Sequence, residues 1–218
     1  MEDKENKTKA VANLLREIYY RQTAGFKFTH LNIVTPQNFK TKQTEPNWLK
    51  PRGVWQRNKA LHWLRNNVVD TNGIVYFGDD DNTYDLKLFD EIRKTSKVSV
   101  FPVGLVGGLL VERPIVQNSK VVSFNSMWKT TRTYPIDMAG FSIKLDLILE
   151  NNNAYFSENV SRGLQETDFL KQLIDSINDL EPRAQMCQKT LVWHTRTEKP
   201  RLNQERKLRI PSNFGMID

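Results

Sequence analysis

The run GIVYFGDDDN at residues 73–82 constrains this chain more than any other stretch. Its β-prone residues between two glycines predict a short strand buried on both faces, with three carboxylates at its end. In open α/β sheets ligands bind at the carboxyl ends of strands, and adjacent acids there repel one another unless they share a cation. A solvated acidic turn is the alternative. The helical spacing of Tyr84, Leu88, Phe89 and Ile92 directly afterwards favours a site for a hard divalent metal.

The composition is that of one folded unit. The chain has 218 residues with 39% hydrophobic content, which is enough for one core, and no repeat divides it. We therefore expect a single domain over residues 1–218. No apolar run approaches the length of a membrane-spanning helix, and the charged start at residues 1–5 does not predict a signal peptide, so the chain as it stands is expected to stay in the cytosol. The lone Cys187 is expected to be a buried thiol.

A net charge of +7 indicates a polyanionic partner. Nucleic acid, a sulfated glycan and a nucleotide diphosphate all fit that charge. A metal-dependent enzyme or binder of nucleic acid is disfavoured, because the basic residues are spread along the chain and are not gathered on one helix or interleaved with exposed aromatic residues.

Helical and extended patterns alternate along the first half of the chain. Residues 8–20 have helical spacing, and residues 26–35 are predicted to form a strand. A second helix is introduced by residues 51–53 and leads to the strand that precedes residues 79–82, the acid run. Such alternation predicts an α/β sheet protein. The later predicted elements are shorter: strands at 98–103, 106–112, 121–124 and 190–193, and a helix over 166–177.

Two pairs of basic residues are candidates for phosphate binding. His194 and Arg196 are two apart at a predicted strand end, so they point the same way and can both donate to a phosphate oxygen. Arg52 and Arg57 lie at a predicted helix start, which suits an anion. The alternatives are a hydrogen-bonded structural histidine and a solvated arginine face.

Three acids and one aromatic residue are candidates for catalysis or for substrate binding. Glu112, Asp137 and Glu166 each lie next to apolar or glycine-rich segments, and any one of them could be a general base, a buried ion-pair member or a helix cap. Trp128 lies in a polar loop, where it could form a platform for a sugar ring or a base, or pack within the loop.

Five stretches together resemble the beta-1,3-glucuronosyltransferases, in the same order, over about residues 2–204. They are VYFGDDDNTY (75–84), VGLVGGL (103–109), IDMAGF (136–141), NDLEPRA (178–184) and LVWHTRTEKP (191–200). The resemblance implies an α/β fold of the GT-A nucleotide-sugar transferase type, with a Rossmann-like mixed sheet flanked by helices. It also implies an inverting, homodimeric enzyme that uses UDP-glucuronate and Mn²⁺ on the luminal side of the Golgi membrane.

The resemblance divides the single glycosyltransferase domain into a donor-binding half over about residues 1–100, an acceptor-binding half over about residues 101–204, and a tail at 205–218. It implies Glu166 as the catalytic base and Asp81 as the direct Mn²⁺ ligand. The implied donor-binding residues are Asp3, Arg52, Arg57, Asp79, Asp80, Asp81, His194 and Arg196. The implied acceptor-binding residues are Glu112, Trp128, Arg132, Asp137 and Gln204.

The acceptor expected from the resemblance is a galactose-terminated glycan on protein. Trp128 and Gln204 favour the proteoglycan linker, Gal-β1,3-Gal-β1,4-Xyl on serine, over N-acetyllactosamine. This chain departs from the family in two ways: it begins after the family's first strand and helix, so the first βα unit is expected to be missing, and Leu110 stands where we expect an arginine. An inactive or weakly active glycosyltransferase fragment is therefore the alternative function.

Overall fold

The structure is a computed structural model that describes residues 1–21, 27–42, 44–45, 50–129, 131–161 and 163–197. Its α-helices are α1 (Lys9–Arg21), α2 (Val54–Asn67), α3 (Lys87–Ile92), α4 (Leu145–Glu150), α5 (Gln165–Leu170) and the single turn α6 (Ala184–Cys187). Its strands are β1 (Ile74–Tyr76), β2 (Thr83–Tyr84), β3 (Val98–Val100), β4 (Val103–Gly104), β5 (Val111–Gln117), β6 (Lys120–Asn125), β7 (Phe141–Lys144), β8 (Leu180–Pro182) and β9 (Val192–Trp193). Short 3₁₀ turns lie at Gln37–Phe39, Met138–Gly140 and Ile177–Asp179.

The strands form two mixed sheets. The first has the order β1-β7-β3-β8, in which β7 is antiparallel to both neighbours and β3 is parallel to β8. The second has the order β2-β9-β4-β5-β6, in which β9 and β4 are parallel and the other pairs are antiparallel. The predicted α/β class, with mixed sheets flanked by helices, is confirmed. Within the described residues no helix is both long and apolar enough to cross a membrane.

The larger of the two core clusters lies against the first sheet. Phe77 packs edge-on against Phe156 and Phe169, and those two rings stack with centroids 4.1 Å apart. Phe169 is on α5, so the aromatic cluster ties that helix to the end of β1. The predicted burial of Cys187 is confirmed, because its side chain has no exposed surface.

The predicted strand over residues 26–35 is wrong for the described part, residues 27–35. Its only pairing there is an isolated parallel bridge between Asn32 and Glu2. The backbone of Leu31 and Ile33 bonds to Glu2, and the Gln56 side chain donates to the Ile33 carbonyl, so no ladder forms. Phe26 lies outside the described residues.

The strand before the acid run is confirmed, but its burial on both faces is wrong. Among the described residues β1 is at a sheet edge and pairs with β7 alone, so Ile74, Val75 and Tyr76 are half-buried. An open cleft of about 470 Å³ runs beside β1 and is lined on the far side by Leu61 and Leu64 of α2.

Several predicted boundaries are also wrong, each for a local reason. Tyr84 belongs to β2 and not to the helix that follows. The strand predicted over 98–103 is divided into β3 and β4, with Pro102 between them, and a proline removes a ladder donor. The strand predicted over 106–112 begins only at Val111, because Gly107 and Gly108 form a turn with φ of +61° and +79°. The helix predicted over 166–177 ends at Leu170 and continues as tighter turns, in which Leu173 bonds to the Leu170 carbonyl.

Candidate active site

The acid run and the His194 segment are brought together by a short antiparallel ladder. Thr83 of β2, just after the acid run, pairs with Trp193 of β9, just before His194. Thr83 and Thr195 then share a hydrogen bond between their hydroxyls at 3.0 Å, and Thr195 donates to the Asp81 carbonyl at 2.6 Å. Residues more than a hundred positions apart in sequence are therefore in direct contact.

Arg57 joins the start of α2 to the acid run. α2 begins after Gly53, which adopts a left-handed conformation with φ of 72°. One turn later, Arg57 Nη2 lies 3.2 Å from Asp79 Oδ1, and Arg57 Nη1 donates to the Arg52 carbonyl at 2.9 Å. A cleft of about 340 Å³ opens at this pair, and Asp80 also lines it. The Arg52 side chain is exposed beside the same helix start.

Asp3 is bonded to Thr35, in the segment between α1 and α2. Its Oδ1 accepts from the Thr35 backbone amide at 2.6 Å, and its Oδ2 accepts from the Thr35 hydroxyl at 2.9 Å. Both carboxylate oxygens of this predicted donor-binding residue are therefore engaged within the chain. Gln56 on α2 also contacts the Thr35 hydroxyl, at 3.2 Å, so Asp3 is linked to the helix that carries Arg57.

His194 faces Asp137. Asp137 precedes the 3₁₀ turn Met138–Gly140, and its Oδ1 accepts from the Ala139 amide at 3.0 Å. Its Oδ2 lies 3.5 Å from His194 Nδ1, an ion-pair contact longer than a hydrogen bond. The contact with Asp137 raises the pKa of His194 and the charge of Asp79 adds to the rise, whereas burial and Arg196 act in the opposite direction. The site therefore favours a charged imidazolium.

Glu166 lies in the first turn of α5 and is half-buried. Its pKa is raised to about 7, first because burial disfavours the charged form and then because Asp137 carries the same charge. Arg57 and Arg132 act on Glu166 in the opposite direction. A pKa near neutrality suits the Glu166 carboxylate to proton abstraction at that pH.

Glu112 and Arg132 meet at a serine. The Ser126 hydroxyl donates to Glu112 Oε1 at 2.6 Å and accepts from Arg132 Nη2 at 3.2 Å. Arg132 Nη1 donates to the carbonyl of Gly163, three residues before Glu166. The predicted acceptor-binding residues on β5 and in the loop after β6 are thus connected to the segment that carries the predicted base.

Trp128 lies in the loop after β6, and 38% of its surface is exposed. Its indole packs directly on Gly163, because a Cβ placed there would lie 2.2 Å from Trp128 Nε1. Leu110 is 82% exposed in the turn before β5. Gln204 lies outside the described residues.

The acid run carries side-chain oxygens of the kind that a hard divalent metal takes as ligands. Asp79, Asp80 and Asp81 follow one another at the end of β1, and the buried Asn82 Oδ1 has no hydrogen-bond partner among the described residues. No group of three metal-binding side chains lies together in the part of the chain that the structure describes. These residues fit a Mg²⁺ or Mn²⁺ ion that takes one or two carboxylates and completes its shell with water and phosphate oxygens.

The sequence reasoning missed Ser126 and Asn82 as site residues. Asn82 belongs to the acid run itself, and an amide oxygen beside three carboxylates is a signal that could have identified it. Ser126 carries no such signal, because its role depends on a contact between β5 and the end of β6.

The pattern of the family described as "Glycosyltransferase family 43" matches residues 1–198. The galactosylgalactosylxylosylprotein 3-beta-glucuronosyltransferase sqv-8 of Caenorhabditis elegans is 46% identical over 217 residues, which are 99% of this chain and 59% of that protein. The human galactosylgalactosylxylosylprotein 3-beta-glucuronosyltransferase 3 is 48% identical over 219 residues, which cover 95% of this chain and 63% of the human protein. The Drosophila melanogaster galactosylgalactosylxylosylprotein 3-beta-glucuronosyltransferase I is 50% identical over 206 residues, which cover 92% of this chain and 67% of that protein. The chain spans about three fifths of the length of the first two relatives.

Proposed function

This chain belongs to glycosyltransferase family 43, and on that premise we propose that it transfers glucuronate from UDP-glucuronate to the 3-hydroxyl of a terminal galactose. The relatives named above are called galactosylgalactosylxylosylprotein 3-beta-glucuronosyltransferases, and their likeness covers nearly the whole chain. We propose the same acceptor here, the proteoglycan linker Gal-β1,3-Gal-β1,4-Xyl on serine.

The observation that carries the proposal is the position of Glu166 between the two halves of the site. Its charge is coupled to Arg57 on the donor side and to Arg132 on the acceptor side. A carboxylate in that position can reach the acceptor hydroxyl, and a pKa of about 7 suits it to take a proton at neutral pH.

The transfer is then a single displacement. The oxygen of the acceptor 3-hydroxyl forms a bond to the anomeric carbon of glucuronate, and the bond from that carbon to the diphosphate oxygen breaks. The bonding electron pair leaves with UDP, and the hydroxyl proton passes to the Glu166 carboxylate. Attack opposite the leaving group inverts the anomeric centre.

The leaving diphosphate needs its growing negative charge balanced. His194, whose pKa is raised by the contact with Asp137, and Arg196 are the side chains that we assign to the diphosphate. Arg57 orders the acid run through Asp79. We assign Mn²⁺ to Asp81, with Asp79 and Asp80 contacting the donor, and the metal when bound would supply a Lewis acid for the diphosphate oxygens.

We extend the proposal to a homodimer on the luminal side of the Golgi membrane. The support for this is the resemblance of the five sequence stretches to the beta-1,3-glucuronosyltransferases. Light scattering of the purified chain tests the dimer, and a mass of one chain at micromolar concentration would rule it out. Imaging of the tagged protein against a Golgi marker tests the location, and a purely cytosolic signal would rule that out.

Product formation from two acceptors tests the proposed reaction. With UDP-glucuronate and Mn²⁺, the chain should glucuronidate Gal-β1,3-Gal faster than N-acetyllactosamine, and Trp128→Phe should narrow that preference, because an indole offers a larger face to a galactose ring. Trp63→Phe on α2 is the control and should leave the preference unchanged. Transfer to neither acceptor would rule out the proposed activity for this chain, and faster transfer to N-acetyllactosamine would rule out the linker.

A further inference from the structure

Ser126 connects Glu112 to Arg132 and has no role in the reaction proposed above. It follows β6 directly and is 7% exposed. A serine hydroxyl has one donor and two acceptor sites, so it can donate to Glu112 and accept from Arg132 at the same time. One buried hydroxyl therefore holds two of the residues assigned to the acceptor.

Glu112 depends on this hydroxyl. Its side chain is 6% exposed, and Ser126 is the hydrogen-bond donor that the described residues supply to it. On the other side, Gly107 leaves no spare space, since a Cβ there would lie 2.2 Å from Glu112 Oε1. A buried carboxylate that loses its hydrogen-bond donor is strongly disfavoured, so without Ser126 the Glu112 side chain would leave this position.

Arg132 depends on the Ser126 hydroxyl as well. Its Nε is buried and has no hydrogen-bond partner within the described residues, so the guanidinium is held at its two terminal nitrogens, by Ser126 and by the Gly163 carbonyl. Loss of the Ser126 bond would leave Arg132 attached at one point, free to rotate about the Gly163 contact.

We propose that Ser126 is a positioning residue that holds Glu112 and Arg132 in the geometry that binds the acceptor sugar. The inference rests on the proposed function. Galactose presents several hydroxyl groups. The Glu112 carboxylate can accept from one hydroxyl while the Arg132 guanidinium donates to its neighbour, provided that the two side chains keep a fixed separation. Ser126 fixes that separation without needing to touch the sugar.

The test compares four forms of the chain with the unmodified protein. Ser126→Ala removes the hydroxyl, and Ser126→Cys replaces it with a weaker donor of similar size in case alanine impairs folding. Ser126→Thr keeps the hydroxyl. Ser123→Ala removes an exposed hydroxyl from β6, the strand before Ser126, and is the matched control.

The affinity for Gal-β1,3-Gal, measured by calorimetry, and its KM should weaken on the order of tenfold to a hundredfold in Ser126→Ala, the range for a hydrogen bond to a charged group. Ser126→Cys should weaken both in the same direction. Ser126→Thr and Ser123→Ala should stay near the unmodified values. The affinity for UDP in Mn²⁺ should be the same in all forms, which a merely structural role for Ser126 would not give.

Unchanged disaccharide affinity in both Ser126→Ala and Ser126→Cys would overturn the inference. An equal loss of UDP and disaccharide affinity would also overturn it, because Ser126 would then support the fold as a whole. If the unmodified chain binds no disaccharide, both the inference and the acceptor part of the proposed function fail. Manganese-dependent binding of UDP tests the donor part separately.

Discussion

Arg57 Nη2 lies 3.2 Å from Asp79 Oδ1, which joins the first turns of α2 to the acid run that follows β1. The Arg57 side chain is mostly buried, and its guanidinium also lies 5.7 Å from the centre of the Phe156 ring. Because Phe156 stacks on Phe169 of α5, this one arginine connects the acid run to the helix of Glu166. The donor side and the predicted base are thus held by one group of contacts.

The Arg57→Lys variant should bind UDP-glucuronate about tenfold more weakly. Lysine keeps the charge but loses the planar fork that contacts Asp79 and the Arg52 carbonyl together. Calorimetry with UDP-glucuronate and Mn²⁺ measures the change. Arg93→Lys is the matched control, since Arg93 is exposed and contacts Asp90 at the same distance of 3.2 Å. Equal affinities for the two variants would remove Arg57 from the donor site.

The rate of transfer should rise with pH through about 7 and then level off, because Glu166 must lose its proton to act as a base. Glu166→Gln should keep its affinity for UDP and lower turnover by a factor on the order of 10² to 10⁴. Asp168→Asn, on the same helix, is the control and should keep the pH profile. A Glu166→Gln variant that loses UDP affinity but keeps its turnover at saturation would show that Glu166 only supports the helix.

Glu166 should also make the fold less stable at neutral pH than at acid pH. Its folded pKa of about 7 lies above the unfolded value of 4.5, so the folded state holds a proton that the unfolded state releases between these values. Stability is therefore lost as pH rises through that window. Glu166→Gln should raise the free energy of unfolding at pH 8 by on the order of 3 kcal/mol and leave it nearly unchanged at pH 4. Urea titrations at the two pH values measure this, and an equal effect at both would contradict the raised pKa.

UDP affinity should persist above the ordinary histidine pKa of 6.5 and fall as pH rises through the raised pKa of His194. Asp137→Asn should move that fall to lower pH, because the carboxylate that favours the imidazolium is gone. The chain has only 3 histidines, so the titration of His194 can also be followed by NMR. His62→Gln, at an exposed position on α2, is the control. Identical midpoints in the unmodified chain and in Asp137→Asn would exclude this coupling.

Local patterns predicted the parts of the site that depend on near neighbours in sequence. Gly73 and Gly78 mark the two ends of the strand segment, and the acid run follows β1 as expected. Residues 51–53 introduce α2, so Arg57 lies in its first turns. The helical spacing after Leu164 placed Glu166 in the first turn of α5. In each case the residues that decide the local structure are close neighbours in sequence.

Contacts between distant residues could not be predicted in the same way. The hydroxyls of Thr83 and Thr195 are separated by 112 positions, and the ladder that joins them brings His194 to the acid run. Thr83 is on β2 and Thr195 follows β9, and neither residue carries a local signal of the other. The half-burial of β1 likewise depends on its place at the edge of the sheet, and no property of residues 73–78 reports which strands will pair with them.

The proposed binding of a metal at the acid run is the central claim. Removing one of three mutually repelling acids should not harm the folded chain, so Asp81→Ala should keep the unfolding temperature of the unmodified protein. Asp90→Ala on α3 is the matched control, because it removes an exposed aspartate a few residues further on.

Isothermal titration of UDP into these three proteins, with Mn²⁺ and again after treatment with EDTA, is the most direct measurement. The proposed function predicts that the unmodified chain and Asp90→Ala bind UDP only with Mn²⁺, and that Asp81→Ala binds no UDP in either condition. Unchanged UDP affinity in Asp81→Ala, or equal affinity with and without Mn²⁺ in the unmodified chain, would contradict the metal-dependent donor site.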